Sequence, residues 1–187
     1  MPRPALLIVD LFSRFDFPDG PKLAPLALKA AKKVRQIRDV FDEEQLPVIY
    51  ANENFGDWKC GFDQLAEVCR HDDGPAGDIA KLLFPGPDHY TVLKPKHSAF
   101  LATPLALLLA KLDISTLVLA GMALDSCVLA TAIDANSREF STVVVSDATA
   151  CVPDRRQAAL TLLRSTGGVE VRTAQVFLRS HERGKGH

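Results

Sequence analysis

The feature that most constrains this chain is a succession of short, almost uninterrupted apolar runs rich in Val, Ile and Leu, each followed by an amphipathic stretch. The runs cover residues 5–10, 47–51, 90–93, 116–120, 142–145 and 169–172. A strand solvated on one face alternates apolar with polar residues. A strand buried on both faces does not, and such strands are those of parallel sheets. Between the runs, apolar residues return at threes and fours: Leu26, Ala30, Val34, Ile37 and Phe41 mark one face of a helix over 23–45, with Lys and Arg opposite. Stretches 104–111, 126–140 and 153–165 read the same way, each with Pro or Ser near its start. This alternation predicts a layered α/β domain with right-handed crossovers.

At 187 residues the chain has the size of one domain, expected over 1–179. Residues 52–87 break the rhythm. They hold Trp58, Cys60, Cys69 and His71 among several glycines and prolines, with short helices expected near 63–69 and 77–83. An excursion of this length reads as a lid or a subunit contact. The polar, Gly-punctuated tail 180–187 is expected to fray. Lys and Arg total 22 against 23 for Asp and Glu, a net charge of −1, so there is no basic field for a nucleic-acid partner. No apolar stretch approaches the roughly 20 residues of a membrane span, and no membrane partner is expected. The opening residues are poor in apolar character, and no secretory signal is expected. The four cysteines include no C-x-x-C pair. A cytoplasmic setting with reduced thiols is the expectation.

Several chemistries are excluded by their missing motifs. There is no G-x-G-x-x-G after a strand, no G-x-x-x-x-G-K-[ST] phosphate loop and no G-x-S-x-G nucleophile elbow. An aspartyl phosphatase wants a second carboxylate two residues after its first, and the residue there is Phe12. The histidines form neither H-x-x-x-H nor H-E-x-x-H. What remains is a set of polar residues at the carboxyl ends of apolar strands, where open α/β sheets place their ligand crevice. Asp10 ends the first strand, Lys94 the third, and Cys127 follows the fourth at the opening of an Ala-rich helix. Each alone has an ordinary reading as cap, surface charge or small core residue. Together they have a joint chemistry. A thiol at a helix N-terminus, beside an ammonium, is expected to favour the thiolate. A carboxylate can accept its proton and return it to a leaving amine. Backbone N–H groups in the turn over 121–127 can hold an oxyanion, each worth roughly 3 kcal/mol in acyl transfer.

Three segments carry a family resemblance: ALLIVD over 5–10, VLKPKHSAF over 92–100, and GMALDSCV over 121–128 with Thr131, Asp134 and Ala135. In this order they resemble the isochorismatase-like cysteine hydrolase superfamily, from the first strand to about residue 148. The resemblance implies a three-layer α-β-α sandwich around a six-stranded, mostly parallel, Rossmann-like sheet. It implies an Asp10–Lys94–Cys127 triad, a non-proline cis peptide at Met122–Ala123, and an oxyanion hole made by the N–H groups of Ala123 and Cys127. The nicotinamidase branch carries an Asp-x-His metal cluster after the second strand, where this chain has Asn52-Glu53-Asn54, so no metal and no other cofactor is expected. Family members that act as isochorismatases generally lack the cysteine, so Cys127 favours the branch that cleaves amides and carbamoyl compounds.

The chain also departs from the family pattern. Phe12 stands where Gln is common, His97 where Tyr is common, and Leu124 where Thr is common, whereas Phe15 fits. Asn52, Asn54 and Trp58 are candidates to give a small polar substrate hydrogen bonds and an aromatic wall. The alternative is that the amides satisfy turn backbone and the indole packs the excursion. Phe15, Phe55 and Phe100 are candidates to line the pocket, with core packing as the alternative, and His97 to face the cleft beside Lys94. The apolar segment 101–109 covers more than one helix face, which buried helices and interfaces do; a homodimer or homotetramer is expected. The leading functional expectation is a cysteine hydrolase acting on a non-peptide C–N bond of a small amide or carbamoyl substrate through a thioester. The alternatives are a non-covalent vinyl-ether hydrolase of the isochorismatase kind, and a binding or redox-sensing protein on the same scaffold.

Overall fold

The computed structural model describes residues 3–184. Every apolar run is a strand: β1 (Arg3–Val9), β2 (Val48–Glu53), β3 (Tyr90–Lys94), β4 (Ile114–Met122), β5 (Ser141–Ala150) and β6 (Val169–Arg172). They form one six-stranded sheet in the order β3-β2-β1-β4-β5-β6. All neighbouring pairs are parallel, a stricter arrangement than the mostly parallel sheet expected.

Burial on both faces explains the unbroken apolar pattern. In β1, Leu6 and Ile8 enter one core and Ala5, Leu7 and Val9 the other. The first core is covered by α1 (Gly20–Glu43), α2 (Phe62–His71), α3 (Pro75–Leu83) and α7 (Ala174–Gly184). The second is covered by α4 (Leu105–Lys111), α5 (Leu129–Ser137) and α6 (Pro153–Ser165). The three-layer sandwich is therefore present. One glycine is required by geometry: at Gly121 (φ 115°) a Cβ would lie 2.0 Å from the Val9 carbonyl oxygen, so β4 passes β1 closely only without a side chain there.

Three expectations are corrected. The excursion 52–87 is no lid, because Cys69, Ile79 and Leu83 of α2 and α3 are fully buried in the core beside α1. The polar tail is helical over 180–184, which continue α7; Phe177 is buried against Phe41, and His181 Nε2 lies 2.8 Å from Glu44 Oε2. Residues 185–187 lie outside the described residues. The stretch 126–140 is not one helix, since a π turn over Leu124–Val128 precedes α5.

Strand order reverses between β1 and β4, whose connections leave to opposite sides. The gap opened at their carboxyl ends is the crevice of a doubly wound sheet.

Candidate active site

That crevice is where the three strand-end residues converge. Asp10 follows β1 with a left-handed backbone (φ 52°) that turns the chain out of the sheet. Its N–H donates to the Ala51 carbonyl (2.9 Å) and its Oδ1 accepts the Glu53 N–H (2.6 Å), which ties the carboxylate to the end of β2. Lys94 shares its strand face with Val92, which belongs to the second core, by the two-residue period of β3. Its ammonium lies 2.7 Å from Asp10 Oδ2, and both side chains are buried. Cys127, also buried, lies in the π turn, and one oxygen of Asp10, one of Glu53 and the Cys127 sulfur are all within 4.8 Å of one another.

The turn carrying the thiol is pinned from several sides. The Met122–Ala123 peptide is cis, and Ala123 accepts the N–H groups of Ser126 (3.0 Å) and Val128 (3.1 Å). The buried Thr131 hydroxyl donates to the Cys127 carbonyl (2.7 Å) and accepts the Ala99 N–H (3.0 Å), so the thiol turn is joined to the loop after Lys94. On the outer side, Arg155 of α6 reaches Asp125 of the turn (3.2 Å) and Asp19 before α1 (2.6 Å).

Electrostatics here differ from the expectation of a ready thiolate. Burial pushes the Cys127 thiol up to about 12, and the neighbouring Asp10 charge adds to this, while Lys94 opposes it. Ionising the thiol would place a second anion in a desolvated site. Burial also raises Asp10 above the ordinary carboxylate range, against the lowering pull of Lys94. Burial thus favours the protonated thiol, beside an acid whose proton affinity is enhanced.

The pocket candidates divide. His97 is exposed at the rim, with Nδ1 3.4 Å from the Ser126 hydroxyl, itself 3.8 Å from the Cys127 sulfur. Asn52 is no substrate ligand: its amide accepts the Phe12 N–H (3.0 Å) and donates to the carbonyls of Phe12 (3.0 Å) and Glu53 (3.1 Å). Asn54 accepts the Gly56 N–H (3.1 Å), closing a turn, and borders a separate cavity of about 200 Å³ with Phe55, Cys60 and Leu65. Trp58 forms no aromatic wall within this chain, being 78% exposed. Phe15 is core, and Phe100 is core stacked on Phe140. Sequence reasoning missed Glu53 and Ser126 as neighbours of the thiol. The signal for Glu53 was present: it shares the parity of Ile49 and Ala51 in β2.

The residues do not fit the metal site of the nicotinamidase branch. The side chains at 52 and 54 are amides, and Asn52's is fully engaged with backbone. Asp10, Glu53 and Cys127 are the donors that lie close enough to share an ion among the described residues, and the Lys94 ammonium against Asp10 opposes a cation there.

Fold and crevice define a class: a doubly wound parallel α/β domain whose switch point gathers a thiol, a carboxylate and an ammonium. Comparison with known proteins narrows it. Residues 4–176 match the Isochorismatase domain. The chain is 32% identical over 175 residues (93% of this chain, 96% of the relative) to YaaI of Bacillus subtilis, an uncharacterized isochorismatase family protein. It is 27% identical over 161 residues (82% of this chain, 73% of the relative) to the maleamate amidohydrolase of Pseudomonas putida. Among solved structures it superposes on N-carbamoylsarcosine amidase from Thermoplasma acidophilum with a TM-score of 0.70 at 27% identity, covering 92% of this chain and 96% of that one. The chain belongs to the isochorismatase family of hydrolases.

Proposed function

We propose that this protein is a cysteine-dependent amidohydrolase that cleaves the C–N bond of a small amide or carbamoyl compound through a thioester. The observation that carries the reading is the convergence of Asp10, Lys94 and the Cys127 thiol in one buried cluster at the switch point. Relatives whose names state amide hydrolysis support the same class of reaction.

Asp10 takes the thiol proton as sulfur attacks the carbonyl carbon, and the Ala123 and Cys127 N–H groups receive the developing oxyanion. Lys94 holds the carboxylate and balances negative charge in the cluster. Collapse of the tetrahedral adduct breaks the C–N bond, and the nitrogen leaves with the proton held by Asp10. Asp10, again a carboxylate, then deprotonates a water that adds to the thioester. Sulfur leaves with that proton, and the acid or carbamate is released. A thiol that stays protonated at neutral pH makes a base in contact with it necessary, and the raised proton affinity of Asp10 suits that task.

The test is an ammonia-release screen over amides, ureides and carbamoyl compounds, with the Cys127 adduct trapped by intact mass. Cys127→Ala and Cys127→Ser are expected to lose at least about a thousandfold in turnover. Turnover that survives Cys127→Ala overturns the covalent route and favours the non-covalent alternative. Activity is expected to survive EDTA; loss on chelation restored by zinc contradicts the metal-free scheme.

A further inference from the structure

Glu53 is the acid at the thiol to which the hydrolytic scheme gives no task. Its side chain shares the β2 face of Ile49 and Ala51, and its register partner across the sheet is Lys94. Its own N–H is held by Asp10 at 2.6 Å, which fixes the start of the side chain at the site. A carboxylate oxygen of Glu53 comes within 4.8 Å of the Cys127 sulfur. The cation of the cluster is already matched, because Lys94 lies against Asp10. Among the described residues no ion pair or side-chain hydrogen bond engages the Glu53 carboxylate, which is partly exposed. Any acyl compound on Cys127 must place its carbonyl carbon within bonding reach of sulfur, so its nearest substituents fall beside this unmatched negative charge.

We propose that Glu53 sets the substrate class of this site: it admits neutral or cationic compounds that offer an N–H donor beside the scissile carbonyl, and it turns away those with a carboxylate there. Primary amides, ureides and guanidino-bearing amides meet that requirement. The inference rests on the proposed cysteine hydrolase reading and adds a specificity residue to it. Selection of this kind works by repulsion as much as by attraction, since a carboxylate brought beside Glu53 loses its water and meets like charge.

The experiment needs no known substrate. Iodoacetamide and iodoacetate deliver the same carbon to a thiol and differ in carrying an amide or a carboxylate. Rates of Cys127 alkylation by each, followed by peptide mass mapping and normalised to free cysteine, give a selectivity ratio in which the intrinsic reactivity of the thiol cancels. In the wild-type protein the ratio is expected to favour iodoacetamide at least tenfold. In Glu53→Gln it is expected to fall at least threefold, and in Glu53→Asp, which keeps the charge, to stay within twofold of wild type. A wild-type ratio no greater than that of free cysteine overturns the proposal without any variant, and a smaller fall in Glu53→Gln overturns it as well. Turnover that persists in Cys127→Ala defeats the hydrolase scheme instead, and leaves the alkylation ratio unmoved.

Discussion

The Lys94 ammonium lies 2.7 Å from the Asp10 carboxylate in the cluster that holds the Cys127 thiol, and it has the same sign of effect on both. It lowers Asp10 and it lowers Cys127, each against the upward push of burial. Lys94→Met is therefore expected to raise both. Because the scheme needs Asp10 ionised, the acid limb of kcat/KM should lie above the ordinary carboxylate value of 3.8 in the wild type and move higher in the variant. Alkylation of Cys127 at fixed pH should slow in parallel. Removing one partner of a buried pair also costs about 3–5 kcal/mol, reduced where Asp10 takes up a proton, so denaturant unfolding should shift to lower concentration and more so as pH rises. The sign follows from Asp10: an acid raised further in the folded state contributes stability at low pH and loses it as pH passes its folded value. An unmoved acid limb in Lys94→Met would show that the ammonium does not act on Asp10.

At the scale of elements, the site depends on how one turn is held to its neighbours. Thr131 sits one helical turn after Cys127, and its hydroxyl bridges the Cys127 carbonyl and the Ala99 N–H. Thr131→Val keeps the shape and removes both hydrogen bonds, leaving a buried donor and acceptor unmatched, so a loss of about 1–3 kcal/mol in denaturant unfolding is expected. Turnover should fall with it, since the turn carrying the thiol loses its tie to the loop after Lys94. Unchanged stability would mean the loop relaxes to satisfy both groups. Glu53 and Asn52 illustrate how far period-two reasoning carries at this scale. Alternation along β2 assigns them to opposite faces, one toward the thiol and one toward the loop after β1. Their neighbourhood in sequence had made the two asparagines look like the functional pair.

For the molecule as a whole, the two cores on either side of the sheet were legible from the apolar runs and the helical stripes, as was the layered α/β architecture. The C-terminal helix was not. Its polar residues concealed an anchoring face, where Phe177 packs on Phe41 and His181 meets Glu44. Outside the cores, Leu101 and Leu107 near α4 are 53% and 62% exposed, and Trp58 stands out on the loop after β2. These exposed apolar side chains would be covered in an assembly, and a homodimer or homotetramer remains the proposal. Light scattering at micromolar concentration should give the mass of such an assembly; a monomer mass refutes it. No helix among the described residues is long and apolar enough to cross a membrane.

Local sequence determined the strands, most of the helices and the strand ends that carry Asp10, Lys94 and Cys127, because periodicity and burial on both faces are written into each segment by its own residues. Tertiary structure alone decided what those groups can do. The protonation of the thiol depends on burial and on a charge contributed by a strand far away in the chain. Whether an amide is available to a ligand depends on which backbone groups, brought close by folding, already occupy it.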